Sequence, residues 1–264
     1  MRDGTAQTGD WVRRFHPAPD APTQLVCFPH AGGSASFYFP VARALSPDID
    51  VLAIQYPGRQ DRRGEPSVDD VRRLADLITA ELHPHTDRPL ALFGHSLGAT
   101  VAFEVALRLE AEGAVPLWLF ASGRRAPSSS RAQRVHELPD DLLIANLERL
   151  SGTHTQLLSD RELLDSILPA LRSDYRAAET YRYTPGPPLI CPVLALIGDD
   201  DPEVTPEEAK TWAEHTRAAF ELRVFPGGHF YLNDHATEVT RELTQRLGVP
   251  EAMAPLSPER VADA

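Results

Sequence analysis

One serine has the setting of an enzymatic nucleophile. Ser96 is the middle residue of Gly94–Gly98 (GHSLG), a G-x-S-x-G pentapeptide. The run before it, LALFG, predicts a short buried strand, and from Leu97 onward apolar residues recur at helical spacing. A nucleophile elbow consists of a strand, a tight turn with glycine two residues before and two residues after the serine, and a buried helix. It exposes the hydroxyl above a sheet edge. The competing interpretation is an ordinary glycine-rich turn.

A serine hydroxyl needs a base, and the base needs a group that fixes its tautomer. In a strand–elbow–helix architecture the chain order is serine, acid, histidine. His229 follows the last predicted strand within FPGGHFY, and the acid is expected in the run GDDDP. We predict Asp201, because Asp-Pro begins a turn that can aim the side chain inward, with Asp199 as the second choice. A calcium loop is excluded, because Val204 and Lys210 occupy the positions of its glycine and glutamate.

Two backbone amides are expected to stabilise the oxyanion that forms when the serine attacks a carbonyl. One is the amide of the residue after the nucleophile, Leu97. The other belongs to the loop after an early strand, which here reads HAGG over 30–33. Within it, Ala31 is the predicted donor.

Strands and helices alternate along most of the chain, which predicts an α/β fold: a mostly parallel twisted sheet flanked by helices. Residues 123–188 break this alternation with leucine-rich helical segments, and we interpret them as a helical lid over the nucleophile; an ordinary crossover with extra helices is the alternative. Ser67 and Asp70 predict a capping box at the start of one helix. The expected organisation is a disordered segment 1–10, a single domain 11–249, and a mobile tail 250–264.

Composition limits the function classes. The 264 residues carry a net charge of −12, which argues against a nucleic-acid partner. No apolar run is long enough to span a membrane and the N-terminus does not resemble a signal peptide, so we expect a cytoplasmic protein. Cys27 and Cys191 lie in apolar runs and are expected to be buried, reduced thiols. We expect no cofactor, no metal and a monomer.

Five segments together resemble one family, the type II thioesterases that accompany polyketide and non-ribosomal peptide synthases. They are FPHAGGSASFYFPVARAL, QYPGRQDRRGEP, GHSLGATVAFEVA, DPEVTP and FPGGHFYL, and the resemblance runs from about residue 14 to 249. The pairing of YPGR with HAGG is far more specific than G-x-S-x-G alone. The family often has Met where this chain has Leu97, a mild departure because only the backbone amide is needed. The resemblance implies the α/β-hydrolase fold.

The resemblance also implies a reaction: hydrolysis of acyl thioesters from the phosphopantetheine arm of acyl or peptidyl carrier proteins, which clears aberrant or stalled groups. Ser96 would attack the thioester carbonyl with His229 as base, and Asp201 would orient the imidazole. The amides of Ala31 and Leu97 would bind the oxyanion. Water activated by the same histidine would then release the acid.

Weaker assignments concern substrate and carrier. Phe37 or Tyr38 would line the acyl chamber, together with lid leucines. Arg59, Arg124 and Arg125 are expected near the mouth of the site, where they would receive an acidic carrier or its phosphate; solvated arginines that balance nearby acids are the alternative. Rival functions are a carboxylesterase or peptidase of the same fold, an acyltransferase, and a carrier-binding module without turnover.

Overall fold

A computed structural model describes residues 11–151 and 161–248. The predicted disordered segment 1–10 and the predicted mobile tail 250–264 lie outside the described residues. In the described part of the chain, no helix is both long and apolar enough to cross a membrane. Cys27 and Cys191 are both buried and unpaired, as the sequence predicts.

A seven-stranded sheet forms the centre of the described structure, with the strand order β1-β3-β2-β4-β5-β6-β7. Only β1 is antiparallel to its neighbour. Strands β2 to β6 are buried along their whole length, which explains why they read as continuous apolar runs. The strands are β1 (Val12–Arg13), β2 (Thr23–Phe28), β3 (Ile49–Ile54), β4 (Leu90–His95), β5 (Leu119–Ser122), β6 (Val193–Gly198) and β7 (Phe220–Phe225).

Helices cover both faces of this sheet, and an apolar cluster fills the space on each side. They are α1 (Phe39–Leu45), α2 (Val71–Leu82), α3 (Leu97–Ala111), α4 (Asp140–Ser151), α5 (Arg161–Thr180), α6 (Pro206–Lys210), α7 (Tyr231–Asp234) and α8 (Ala236–Arg246). The predicted α/β class with a mostly parallel sheet is confirmed.

The start of α2 differs from the prediction. Asp70 is its N-cap, and the Asp70 side chain accepts a hydrogen bond from the Arg73 amide at 2.8 Å. Ser67 lies outside the helix and packs against Gly58, where an added Cβ would be 2.0 Å from the Ser67 Oγ. The predicted capping box is therefore wrong: the serine is committed to the turn before the helix, and the aspartate caps alone.

Helices α4 and α5 form an insertion between β5 and β6 in the chain. Leu143 of α4 and both Leu168 and Leu171 of α5 form a separate small apolar cluster, and Ala31 packs against it. The insertion therefore rests on the loop that follows β2. Because β2 and β4 are paired and parallel, this loop lies at the same sheet edge as the end of β4. The role of the insertion as a lid stays a prediction.

Candidate active site

Ser96 lies in a sharp turn between β4 and α3. Its backbone angles, φ 55° and ψ −119°, are rare for a residue with a side chain, and only a tightly constrained turn holds them. The flanking glycines show the constraint: an added Cβ would lie 2.1 Å from the Gly98 carbonyl oxygen at Gly94, and 2.1 Å from the Phe28 carbonyl oxygen at Gly98. No larger residue fits at either position. The turn has the features of a nucleophile elbow.

His229 is held by Asp201. The Nδ1 atom of His229 lies 2.9 and 3.0 Å from the two carboxylate oxygens of Asp201, and both side chains are buried. Asp201 also accepts a hydrogen bond from the Glu203 amide at 2.8 Å, which fixes the carboxylate in turn. Because a carboxylate only accepts hydrogen bonds, the neutral imidazole carries its proton on Nδ1. The Nε2 atom is then free to accept a proton from a nucleophile.

Asp199 has a different partner from Asp201. Its carboxylate accepts a hydrogen bond from the Gly227 amide at 2.8 Å, and the Asp200 amide donates to the Gly227 carbonyl at 3.0 Å. The loop after β6 is thus tied to the loop that carries His229. Of the two aspartates considered from the sequence, the structure brings the first choice, Asp201, to the imidazole.

Two further histidines lie beside His229. The ring of His95 is 4.9 Å from that of His229 and 5.9 Å from that of His30, between centroids. His95 is fully buried, and its Nδ1 lies 2.9 Å from the Ser122 hydroxyl. Burial lowers the pKa of His30 to about 3 and that of His95 well below its usual value, and protonation of His229 acts in the same direction. Both rings are therefore neutral at physiological pH, and within residues 11–151 and 161–248 neither has a carboxylate partner like that of His229.

A cavity of about 410 Å³ opens beside the elbow. Ser96, Leu97, Ala31 and His229 all line it, so the structure brings the predicted nucleophile, base and oxyanion residues to one space. Tyrosines of the insertion and of the segment after it complete the wall: Tyr175, Tyr181 and Tyr183. In the described part of the chain, no three His, Cys, Asp or Glu side chains are arranged to hold a metal ion.

The aromatic residues expected in the acyl chamber lie elsewhere. Tyr38 is fully buried, and its hydroxyl donates to the Phe28 carbonyl at 2.7 Å. Phe37 packs edge-on against His30, with 4.7 Å between ring centroids. Neither residue is among the described residues that line the cavity. The prediction is wrong because Tyr38 is part of the buried apolar cluster and Phe37, which is half-buried, packs against that cluster. The signal that was missed is the set of tyrosines in and after α5.

Two of the three arginines expected on the carrier-binding surface are buried. Arg59 is 7% exposed and forms an ion pair with Asp174, while Arg125 is 5% exposed and donates to the Glu203 carbonyl at 2.8 Å. A buried guanidinium needs such partners to offset its desolvation. Arg124 is only half-buried: its Nε donates to a threonine hydroxyl, and like Arg125 it lines the cavity. Arg59 and Arg125 are therefore not available to dock a carrier.

A family model described as "Thioesterase domain" matches residues 23–247. The chain belongs to the thioesterase family. This thioesterase is 52% identical over 259 residues to the probable cadicidin biosynthesis thioesterase of Streptomyces griseus, covering 96% of this chain and 72% of the relative. It is 50% identical to thioesterase PikA5 of Streptomyces venezuelae, covering 93% of this chain and 89% of the relative.

A solved structure agrees with the sequence relatives. The type II thioesterase BorB from the borrelidin biosynthetic cluster superimposes with a TM-score of 0.86 at 53% identity, covering 90% of the thioesterase and 97% of BorB. The resemblance to type II thioesterases, the α/β-hydrolase fold and the activity of a thioester hydrolase are thereby confirmed.

Proposed function

We propose that this thioesterase hydrolyses acyl thioesters carried on the phosphopantetheine arm of acyl or peptidyl carrier proteins, and so removes aberrant or stalled groups from a polyketide or non-ribosomal peptide synthase. The observation that carries the proposal is the joint placement of Ser96, His229 and Ala31 on one cavity, with Asp201 behind the imidazole. The biosynthetic settings named for two relatives, cadicidin biosynthesis and the borrelidin cluster, support the carrier-bound substrate.

The reaction proceeds through an acyl-enzyme. His229 takes the proton of Ser96 as the hydroxyl oxygen attacks the thioester carbonyl, and the resulting oxyanion lies against the amides of Ala31 and Leu97. The C–S bond breaks, and the pantetheine thiol leaves with the proton from the histidine. Water then gives its proton to the same imidazole, attacks the acyl-serine ester, and releases the carboxylic acid and the free serine.

Charge placement supports a role for Arg124 in receiving the arm. The thioesterase and its proposed acidic carrier would repel one another at long range, since the chain itself carries −12. Arg124 places a cation in the cavity wall, and burial lowers its pKa only to about 10, so the guanidinium stays charged at neutral pH. We propose that it binds the phosphate of the phosphopantetheine arm rather than the carrier surface.

Arg124→Gln tests this role. It should raise KM for an acyl-phosphopantetheine thioester about tenfold or more, because a hydrogen bond to a charged group contributes about 1.5–3 kcal/mol. KM for the matching pantetheine thioester, which lacks the phosphate, should stay unchanged. Arg134→Gln, at an exposed arginine paired with Glu137, is the control for loss of one positive charge. Equal effects on both substrates would reject the role.

The function is tested with short acyl and amino-acyl carrier thioesters and their oxygen-ester analogues. Wild type should hydrolyse the thioesters, and Ser96→Ala should lose about 10⁴-fold or more in turnover while it stays folded. Ser130→Ala, which removes another serine of the same cavity, should keep wild-type turnover. A preference for the oxygen esters would instead indicate a carboxylesterase, transfer to an added alcohol or amine an acyltransferase, and carrier binding without turnover a binding module.

A further inference from the structure

The loop that carries Ala31 is tied to the inserted helix α5 by one buried carboxylate. Asp174 of α5 is 1% exposed, and its Oδ2 accepts a hydrogen bond from the Gly32 amide at 2.8 Å. The guanidinium of Arg59 donates to both oxygens of the same carboxylate, at 2.6 and 2.8 Å. Arg59 also donates to the Gly33 carbonyl at 3.0 Å. The ion pair therefore holds the amide of Gly32 and the carbonyl of Gly33, the two residues that follow Ala31.

Packing at the same place shows how closely α5 and this loop fit. An added Cβ at Gly32 would lie 2.8 Å from the Cδ1 of Leu171, which is one helical turn before Asp174. Ala31 itself packs against the leucine cluster of the insertion. A shift of α5 along or away from the loop would thus break the hydrogen bond and the packing contact together.

Net stability is a weak explanation for such a pair. A buried ion pair is often no more stabilising than apolar residues of the same volume, because desolvation of both charges offsets their attraction. What a two-pronged guanidinium–carboxylate contact supplies is a fixed geometry. Here that geometry is imposed on a loop whose proposed task is to aim an amide at the reacting carbonyl, and an error of about 1 Å in such a group costs on the order of 100-fold in rate.

We propose that Asp174, clamped by Arg59, is a positioning residue for the Ala31 amide, and that it couples the place of the inserted helix to the rate of the chemical step. This rests on the proposed function, in which Ala31 supplies an oxyanion amide. Acylation of Ser96 is then fast only while α5 lies in the position that keeps the Asp174–Gly32 hydrogen bond. Contacts of substrate or carrier with the insertion act on turnover through this bond.

Asp174→Asn is the decisive variant. The variant removes the charge that Arg59 clamps and leaves one acceptor oxygen for both the guanidinium and the Gly32 amide, so the side chain no longer holds Gly32 in place. With p-nitrophenyl butyrate as substrate, we expect kcat to fall about 100-fold, the typical cost of one oxyanion donor, while KM changes less than about threefold. Arg59→Lys, which keeps the positive charge and loses the two-pronged contact, should restore part of the lost kcat relative to Arg59→Ala.

Asp50→Asn is the matched control. Asp50 is also fully buried, and it also accepts from a backbone amide, that of Ala18 at 3.2 Å, and from an arginine, Arg88, at 3.0 Å. It lies at the start of β3, at the opposite edge of the sheet from the elbow. Both variants should lose stability in urea unfolding, but only Asp174→Asn should lose kcat. A kcat within threefold of wild type, or equal losses in the two variants, would overturn the proposal.

Labelling with a fluorophosphonate separates misfolding from misplacement, and both from failure of the proposed function. Asp174→Asn should react with the probe more slowly than wild type and reach the same final fraction of labelled protein. Unfolded protein would lower that final fraction. A labelling rate equal to that of wild type would also overturn the positioning role. Ser96→Ala should not be labelled. Neither the probe nor the small ester involves a carrier, so lack of activity on carrier thioesters would reject the proposed function alone. The positioning role is decided by kcat with p-nitrophenyl butyrate and by the labelling rate.

Discussion

The Asp201 carboxylate accepts hydrogen bonds from two donors, and this makes Asp201→Asn a sharp test of the catalytic arrangement. In the wild type, the carboxylate accepts from the Glu203 amide at 2.8 Å and from His229 Nδ1 at 2.9 and 3.0 Å. Asparagine has one acceptor oxygen and one donor nitrogen. If the oxygen stays with the Glu203 amide, the NH₂ group faces Nδ1, which must then be the unprotonated nitrogen.

The proton of the imidazole would then be on Nε2, the atom that has to accept the proton of Ser96. The histidine cannot act as a base in that tautomer, so we expect kcat to fall about 10⁴-fold, which corresponds to about 5.4 kcal/mol of lost transition-state stabilisation. KM should change little, because Asp201 does not line the cavity in the described part of the chain. Steady-state hydrolysis of an acyl-pantetheine thioester measures both constants.

Asp199→Asn is the control, because it makes the same chemical change two residues away. Asp199 is exposed and accepts only from the Gly227 amide among the described contacts, a role that an asparagine oxygen can fill. Its kcat should stay within about threefold of wild type. A loss below tenfold in Asp201→Asn, or comparable losses in both variants, would refute the assignment of the acid and the tautomer argument with it.

Two further outcomes follow from the same geometry. Gly98→Ala should destabilise the thioesterase by at least about 2 kcal/mol in urea unfolding, because the new Cβ would meet the Phe28 carbonyl at 2.1 Å, whereas Gly186→Ala, with nothing within 4 Å, should stay within about 0.5 kcal/mol. The second outcome concerns pH. In the folded state, burial and, to a lesser degree, the charge of a protonated His229 lower the pKa of His30 from its ordinary value of 6.5 to about 3. As the pH falls, the unfolded chain therefore binds a proton at this histidine before the folded protein does. The free energy of unfolding should then decrease as the pH drops below about 6.5. His30→Phe should make that fall shallower between pH 7 and pH 5, and an unchanged slope would contradict it.

Features that depend on local sequence were predictable. The elbow follows from two glycines that no larger residue can replace, between a run of strand-forming residues and a helix. The position of His229 follows from its place after the last strand of the sheet, since parallel strands bring their following loops to one edge. The choice of Asp201 over Asp199 followed from turn chemistry, and the structure places Asp201 against the imidazole.

Features that depend on distant partners were not predictable. A cluster of arginines in the sequence indicates a solvated or docking surface, yet Arg59 is buried because a carboxylate 115 residues away in the chain meets it. Tyr38 is equally suited to a chamber wall or to the core, and only the Phe28 carbonyl decides between them. The cavity wall comes from an insertion whose placement depends on packing against the loop after β2.

The division between a central strand that carries Ser96 and an insertion between β5 and β6 has a consequence for engineering. One route to new acyl selectivity in such a hydrolase is to replace the insertion while the sheet is kept. In this protein, the contact between the insertion and the loop after β2 limits which replacements can work. A transplanted insertion without an acid at position 174 would leave Arg59 as a buried cation without its carboxylate, so donor segments are best chosen for that one residue before any criterion of pocket shape.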